Sequence, residues 1–212
     1  MVYFKICLLV ILTYLIGSIS FGIIVTKLKK GIDIRHYGSG NTGFTNVLRV
    51  VGKGPSIIVL IGDALKGSMG VILGYYLGDA SYSFAVLGGL STMIGHTYPI
   101  YFAFKGGKGV ATGLGVVLTL APDVTLIALI IFITTVLISR YVSLGSLVGA
   151  MSVPIFSYFL EKPFPVIIFG FLGAILVAYN HKSNIIRLCQ GRENKIGKRS
   201  EWRNVDNKGE LK

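Results

Sequence analysis

The sequence predicts an all-α integral membrane protein with seven transmembrane helices, the N-terminus outside, the C-terminus cytoplasmic and the fourth span short. Three observations predict it. The 212 residues are 52% hydrophobic and only 14% charged, with a mean hydropathy of +0.70, whereas a soluble domain carries about 25% charged residues. The apolar residues fall into seven runs, six of them near the length that crosses a bilayer. The basic residues fall into a few loops and a tail, and one topology puts 18 of the 21 Lys and Arg on one side. That is the pattern of the positive-inside rule. The net charge of +12 is therefore accounted for by topology, and nucleic-acid binding is not expected.

Residues 6–26 form the first run. Lys27, Lys29 and Lys30 follow it; heavy charge after the run favours a retained span with its end inside over a cleaved leader. Residues 27–53 are basic and polar, with glycines alternating with Ser, Asn and Thr through Gly43. This is turn chemistry rich in N–H groups and hydroxyls. Residues 54–78 form the second span. Gly70, Gly74 and Gly78 recur every fourth residue, which lets a neighbouring helix approach closely. Asp63 and Lys66, three apart, share a helix face and are read as a structural ion pair near the cytoplasmic end, with a direct catalytic role as the alternative.

Residues 82–102 are the third span, closed by Pro99. Lys105-Gly106-Gly107-Lys108-Gly109 comes next and opens an apolar run, 109–121, that is too short for a straight span. Glycines allow close backbone approach, and a helix N-terminus favours an anion. The stretch is either a phosphate cradle or a glycine-rich cytoplasmic turn. Residues 124–139, 144–160 and 164–180 are the remaining spans. Asp79, Asp123 and Glu161 fall outside. The division expected is a membrane domain over 1–195 and a basic, flexible tail over 196–212. Cys7 and Cys189 lie near opposite faces, so neither a disulfide nor a zinc site is expected.

Three polar groups then share the cytoplasmic face: Ser39 to Arg49, His96 to Gly109, and His181 to Lys195. On a continued helix, His181, Asn184 and Arg187 share a stripe. There is no paired-carboxylate pattern, no G-x-x-x-x-G-K-[ST], no G-x-S-x-G and no H-E-x-x-H. Cations and N–H groups without such machinery suit transfer between phosphorylated molecules. A transporter for a phosphorylated anion is the main alternative, but the chain has no clear inverted repeat and gathers its polar groups on one face. A scaffold whose basic tail binds anionic lipid leaves the three polar loops unexplained.

GSGNTGFTN at 38–46, GHTYPIYFAFKGGKGVATGLG at 95–115 and NHKSNIIRLCQGRENK at 180–195 resemble the three cytoplasmic motifs of the PlsY family, over roughly residues 5–195. That resemblance implies a membrane acyltransferase of the bacterial cytoplasmic membrane, with its site on the cytoplasmic side. It would move a fatty acyl group from acyl phosphate to glycerol 3-phosphate, giving lysophosphatidic acid and phosphate. No cofactor and no metal are implied. A functional link to the enzyme making acyl phosphate is, and membrane lipid surrounds the site. As in that family, the His-x4-Asp motif is absent: Asn41, Tyr101 and Ile186 stand five residues after the three histidines.

With that chemistry in view, the amides of Gly106, Gly107, Lys108 and Gly109, with Ser39 and Thr45, are expected to hold the acyl-phosphate group. Arg49, Lys105, Asn184, His181 and Ser143 are expected to hold glycerol 3-phosphate. His181 would orient or deprotonate the hydroxyl beside Asn184, unless a substrate phosphate is the base. Ser39 is the remaining catalytic candidate, with covalent attack disfavoured because no base is fixed beside it in sequence.

Overall fold

The computed structural model describes residues 1–196, and they are helical with no strand among them. Every apolar run is a helix. The first is broken: α1 (Val2–Gly17) and α2 (Phe21–Lys30) meet at Ser18–Ser20, and α2 carries the helix four residues past the expected end at residue 26. α3 (Phe44–Val50) is a short helix inside what reads as a loop. It starts at Gly43, the last of the closely spaced glycines, and buries Asn46 and Val47. Then come α4 (Lys53–Leu77), α5 (Tyr82–Thr97), α6 (Val110–Leu120), α7 (Pro122–Ser139), α8 (Val142–Phe159), α9 (Phe164–Asn180) and α10 (Lys182–Cys189).

Proline sets several boundaries. Pro122 begins α7 in the first turn, where a missing N–H costs nothing. Pro99 follows α5 and hands the chain to a 3₁₀ turn, Ile100–Phe102. The expected third span to residue 102 therefore stops at Thr97.

Among the described residues four helical units are long and apolar enough to cross a bilayer: Val2–Lys30 taken together, α4, α7 and α8. α9 with α10 is a fifth if the pair counts as one, across a bend of 64°. α5 has 16 residues and α6 has 11. At 1.5 Å per residue α6 covers roughly 16 Å, about half the hydrocarbon thickness.

The helices pack as two groups. In one, α4 lies against α5 and α6, and α1 lies against α5; in the other, α8 lies between α7 and α9. Small residues make the first group possible. A Cβ on Gly70 would collide with Thr92, one on Gly74 with the Phe84 carbonyl, and one on Gly115 with the Ala64 carbonyl. The helix backbones are therefore in contact, as the spacing in α4 predicts. Gly115→Val is expected to push α6 off α4 and cost about 2 kcal/mol or more, read as a lower melting temperature in detergent.

Lys5 pairs with Asp79 (2.9 Å) and Lys162 with Asp123 (2.6 Å) at one end. The loops rich in Lys and Arg lie at the other. Ile196, assigned on sequence to the tail, is tied in: its N–H donates to the Arg140 carbonyl at 2.8 Å. The rest of that tail lies outside the described residues.

Candidate active site

A cavity of about 970 Å³ opens at the basic end and runs down between the two helix groups. Its upper wall is polar. Its lower wall is apolar, formed by residues such as Leu114, Phe132, Val153, Phe169 and Ala174.

The first part of the polar wall is the turn before α3. Asn46, 1% exposed, organises it. Its amide donates to the Tyr37 and Asn41 carbonyls, both at 2.9 Å, and its Oδ1 accepts from Ser39 N–H at 2.9 Å. Gly38 (φ 60°) and Gly40 (φ 72°) supply the left-handed conformations that wrap the turn around this side chain. Ser39, Thr45 and Arg49 consequently line the cavity. Arg35 clamps the turn from outside, pairing with Asp33 at 2.7 Å and donating to the Phe102 carbonyl at 2.9 Å.

The second part is the glycine loop. Gly106 N–H donates to the Thr97 carbonyl (3.2 Å) and Gly107 N–H to the His96 carbonyl (3.1 Å). These two amides are hydrogen-bonded to the end of α5, and neither Gly106 nor Gly107 is among the residues lining the cavity, although all four glycine-loop amides are expected in the cradle. Lys108 and Gly109 do line it. Gly109 (φ 82°) turns the chain into α6, so Lys108 and the first turn of α6 form that edge of the cavity. Lys105 is exposed and outside the lining. The consecutive left-handed residues Ala103 (φ 54°) and Phe104 (φ 59°) turn the backbone just before it.

The third part is the bend after α9. His181 closes α9 and is 3% exposed. Its Nδ1 lies 2.8 Å from the Val177 carbonyl. That contact assigns the proton to Nδ1 and leaves Nε2 as an acceptor. Asn184 stands one turn further on and accepts from Lys108 Nζ.

Glu193 ties this part together. Its Oε1 accepts from Asn184 Nδ2 (2.7 Å) and Ser143 Oγ (2.9 Å), and its Oε2 from Arg187 Nε (2.7 Å). Burial pushes the Glu193 carboxyl up, but the hydrogen bonds from Asn184, Arg187 and Ser143 outweigh it and hold it below the usual range. Lys108 is pushed down to about 8 by burial, with Glu193 opposing and the Arg187 and Arg49 charges adding to the effect. His181 is pushed down to about 4, by burial first and then by the Lys108 charge. The site at neutral pH thus holds a cationic Lys108 and a neutral imidazole.

Eight of the expected residues converge on one cavity: Ser39, Thr45, Arg49, Lys108, Gly109, Ser143, His181 and Asn184. Glu193 and Asn46 stand inside the matched motifs but carry no role in the sequence reading. Glu193 had one local signal, a lone acid among the cations of Arg187 to Lys195.

Comparison with known proteins bears on this arrangement. The sequence profile of the family described as Glycerol-3-phosphate acyltransferase matches residues 7–191. A protein of that description from Desulforamulus reducens is 47% identical over 200 residues, covering 94% of this chain and 99% of the relative. Another, from Halalkalibacterium halodurans, is 45% identical over 199 residues, covering 92% and 97%. Among solved structures, PlsY (YgiH), an integral membrane glycerol 3-phosphate acyltransferase in its glycerol 3-phosphate form, superposes with a TM-score of 0.85 at 41% identity. It covers 91% of this chain and 96% of that one. The lysophosphatidic acid form gives 0.83 at the same identity.

Proposed function

Because this chain belongs to the glycerol-3-phosphate acyltransferase family, and is accordingly a multi-pass membrane acyltransferase acting on glycerol 3-phosphate, we propose that its acyl donor is acyl phosphate and its products are lysophosphatidic acid and phosphate. The observation that carries this reading is the cavity's division. Arg49, Lys108 and Arg187 surround its mouth, and an apolar shaft lies beneath. Phe169 lines the shaft twelve residues before His181, about 18 Å down at the rise of an α-helix. A phosphorylated fatty acyl group has that shape and charge. A water-soluble acceptor carrying a second phosphate meets it at the mouth.

Acyl phosphate is already activated, so the protein's task is to hold two mutually repelling phosphates, align a hydroxyl with the carbonyl and exclude water. Lys108, the Gly109 amide and the first turn of α6, with Ser39 and Thr45, hold the donor phosphate. Arg49, Asn184 and Ser143 hold glycerol 3-phosphate, and Lys105 stands at the surface as a cation on its approach. His181 Nε2 accepts a hydrogen bond from the reacting hydroxyl. An imidazole held neutral is an acceptor first and a weak base, so the proton passes to the departing phosphate. The bond that forms joins the hydroxyl oxygen to the acyl carbon. The bond that breaks joins that carbon to the phosphate oxygen. Ser39 needs no covalent role in this scheme.

The sorting of basic residues supports the orientation: seven crossings, the N-terminus outside, and the site on the cytoplasmic side of the bacterial membrane. The deciding experiment uses purified protein, glycerol 3-phosphate and palmitoyl phosphate. Lysophosphatidic acid and phosphate are expected in equal amounts, with no product when palmitoyl-CoA replaces palmitoyl phosphate. Product from the CoA ester alone would overturn the donor assignment. The shaft makes a second prediction. Phe169→Ala lengthens it, so the donor with the highest kcat/KM is expected to shift toward chains longer by about two to four carbons, given the volume a phenyl ring vacates. A series of saturated acyl phosphates measures it.

A further inference from the structure

The glycine loop does not hold its own shape. Its first two glycines hang by their amides from the last carbonyls of α5, and the space above Gly107 is filled by the His96 ring: a Cβ on Gly107 would collide with His96 Nε2. The other edge of that ring faces α4, with Nδ1 3.4 Å from Asp63 Oδ1. Asp63 in turn pairs with Lys66 at 2.9 Å. Lys66 Nζ donates to the Ile19 carbonyl at 2.6 Å, at the break between α1 and α2, and stands 5.9 Å from the centre of the Phe21 ring. Asp63, Lys66 and His96 are 1%, 2% and 5% exposed. None of the three hydrogen-bonds to Lys108, Asn184 or Glu193, yet Asp63 and His96 border the same cavity from below.

Burying a carboxylate, an ammonium and an imidazole among membrane helices is costly. Apolar side chains of like volume hold helices together at least as well. Packing alone therefore does not account for the cluster. A flat ring held between a buried carboxylate 3.4 Å away, with no hydrogen bond between them, and the glycine loop sets the height of the backbone laid over it.

We propose that His96, oriented by the Asp63–Lys66 pair, is a positioning residue for the glycine loop: it fixes where Lys108 and Gly109 stand relative to His181 and Asn184. The same contact makes Gly107 a steric requirement, because the ring occupies the volume of any side chain there. The cluster also links the α1–α2 break to the loop through Lys66, so that three helices are registered to one catalytic edge. The kinetic part rests on the reading above, that this edge holds the donor phosphate; the loop geometry does not.

The test uses the full-length protein in detergent. His96→Leu keeps the volume and removes the polar ring. Asp63→Leu/Lys66→Met/His96→Leu replaces the whole cluster with apolar residues, and so stands in if the single change leaves Asp63 and Lys66 too poorly matched to fold. His96→Gln keeps a group able to reach both neighbours. For the first two we expect the KM for palmitoyl phosphate to rise by about tenfold or more, as when an orienting partner is lost. The KM for glycerol 3-phosphate should change less, and the melting temperature should stay within about 3 °C of the parent. His96→Gln should restore most of the donor affinity. Hydrogen exchange over residues 103–112 should quicken in the leucine variants and not across α4.

Unchanged donor KM and unchanged exchange in a folded leucine variant would overturn the proposal. So would a loss of activity that follows the melting temperature without rescue by glutamine. If the parent makes no product from palmitoyl phosphate, the donor assignment fails. The exchange measurement then still decides whether His96 positions the loop.

Discussion

Lys108→Ala is expected to lower kcat/KM for the acyl donor by about 10²- to 10³-fold, the range seen when one preorganised group facing developing negative charge is removed. Lys108 is the only cation of the glycine loop that borders the cavity, and its ammonium also donates to Asn184. The variant therefore loses charge on the donor side and orientation on the acceptor side. Its pH behaviour gives an independent check. With a value of about 8 in the free enzyme, Lys108 is cationic below that pH and becomes neutral as pH rises through it. The KM for palmitoyl phosphate should therefore climb above about pH 8. Lys108→Arg keeps its charge throughout and should lose that alkaline limb, even though its planar head fits the site less well.

Glu193→Ala is expected to produce the largest combined effect. One carboxylate receives hydrogen bonds from Asn184, Ser143 and Arg187, and its side chain is 6% exposed. Removing it leaves three donors without their acceptor and strands the Arg187 charge. Hydrogen bonds to charged groups and broken buried pairs are each worth several kcal/mol in dry settings. Arg187 is partly exposed, so a loss of about 2–4 kcal/mol is expected, with kcat/KM down by more than about 10²-fold. Glu193→Gln keeps one acceptor oxygen for Ser143 and Asn184 and should fall between the two. Melting curves in detergent and steady-state kinetics on both variants measure this. Equal loss in the glutamine and alanine variants would assign the effect to charge alone.

What the sequence made legible was whatever depends on neighbours in the chain. Every apolar run is helical, because each is dictated by its own composition, though among the described residues only four units, or five with α9 and α10 taken as one, are long and apolar enough to cross a bilayer. The three-residue step from Asp63 to Lys66 gave their pair, because one turn of helix brings them together. His96 was not legible as their third member, because its partner lies 33 residues away on another helix. The break at Ser18–Ser20 was hidden for the same reason: Lys66, far off in sequence, satisfies the Ile19 carbonyl there. The glycine loop was half legible. Its composition offered a phosphate cradle or a charged turn, but which of its residues border the cavity was decided by the end of α5. The convergence of Ser39, Arg49, Lys108 and His181 was foreshadowed by topology, which put their segments at one end. Ser143 and Glu193 meet across 50 residues, and no local pattern encodes that.

The place of Glu193 in the chain has a consequence for how the enzyme comes into being. Chains emerge from the ribosome N-terminal end first, at about 5–20 residues per second. By the time α9 has inserted, each helix that the bilayer must receive is already made, and the cavity has walls. The carboxylate that clasps Ser143, Asn184 and Arg187 lies 13 residues beyond the end of α9. A chain ending between Asn180 and Glu193 would keep α1 to α9 and lack the carboxylate that ties Ser143, Asn184 and Arg187 together. The last tie across the cavity wall is thus supplied by a residue that lies beyond every helix long and apolar enough to cross the bilayer.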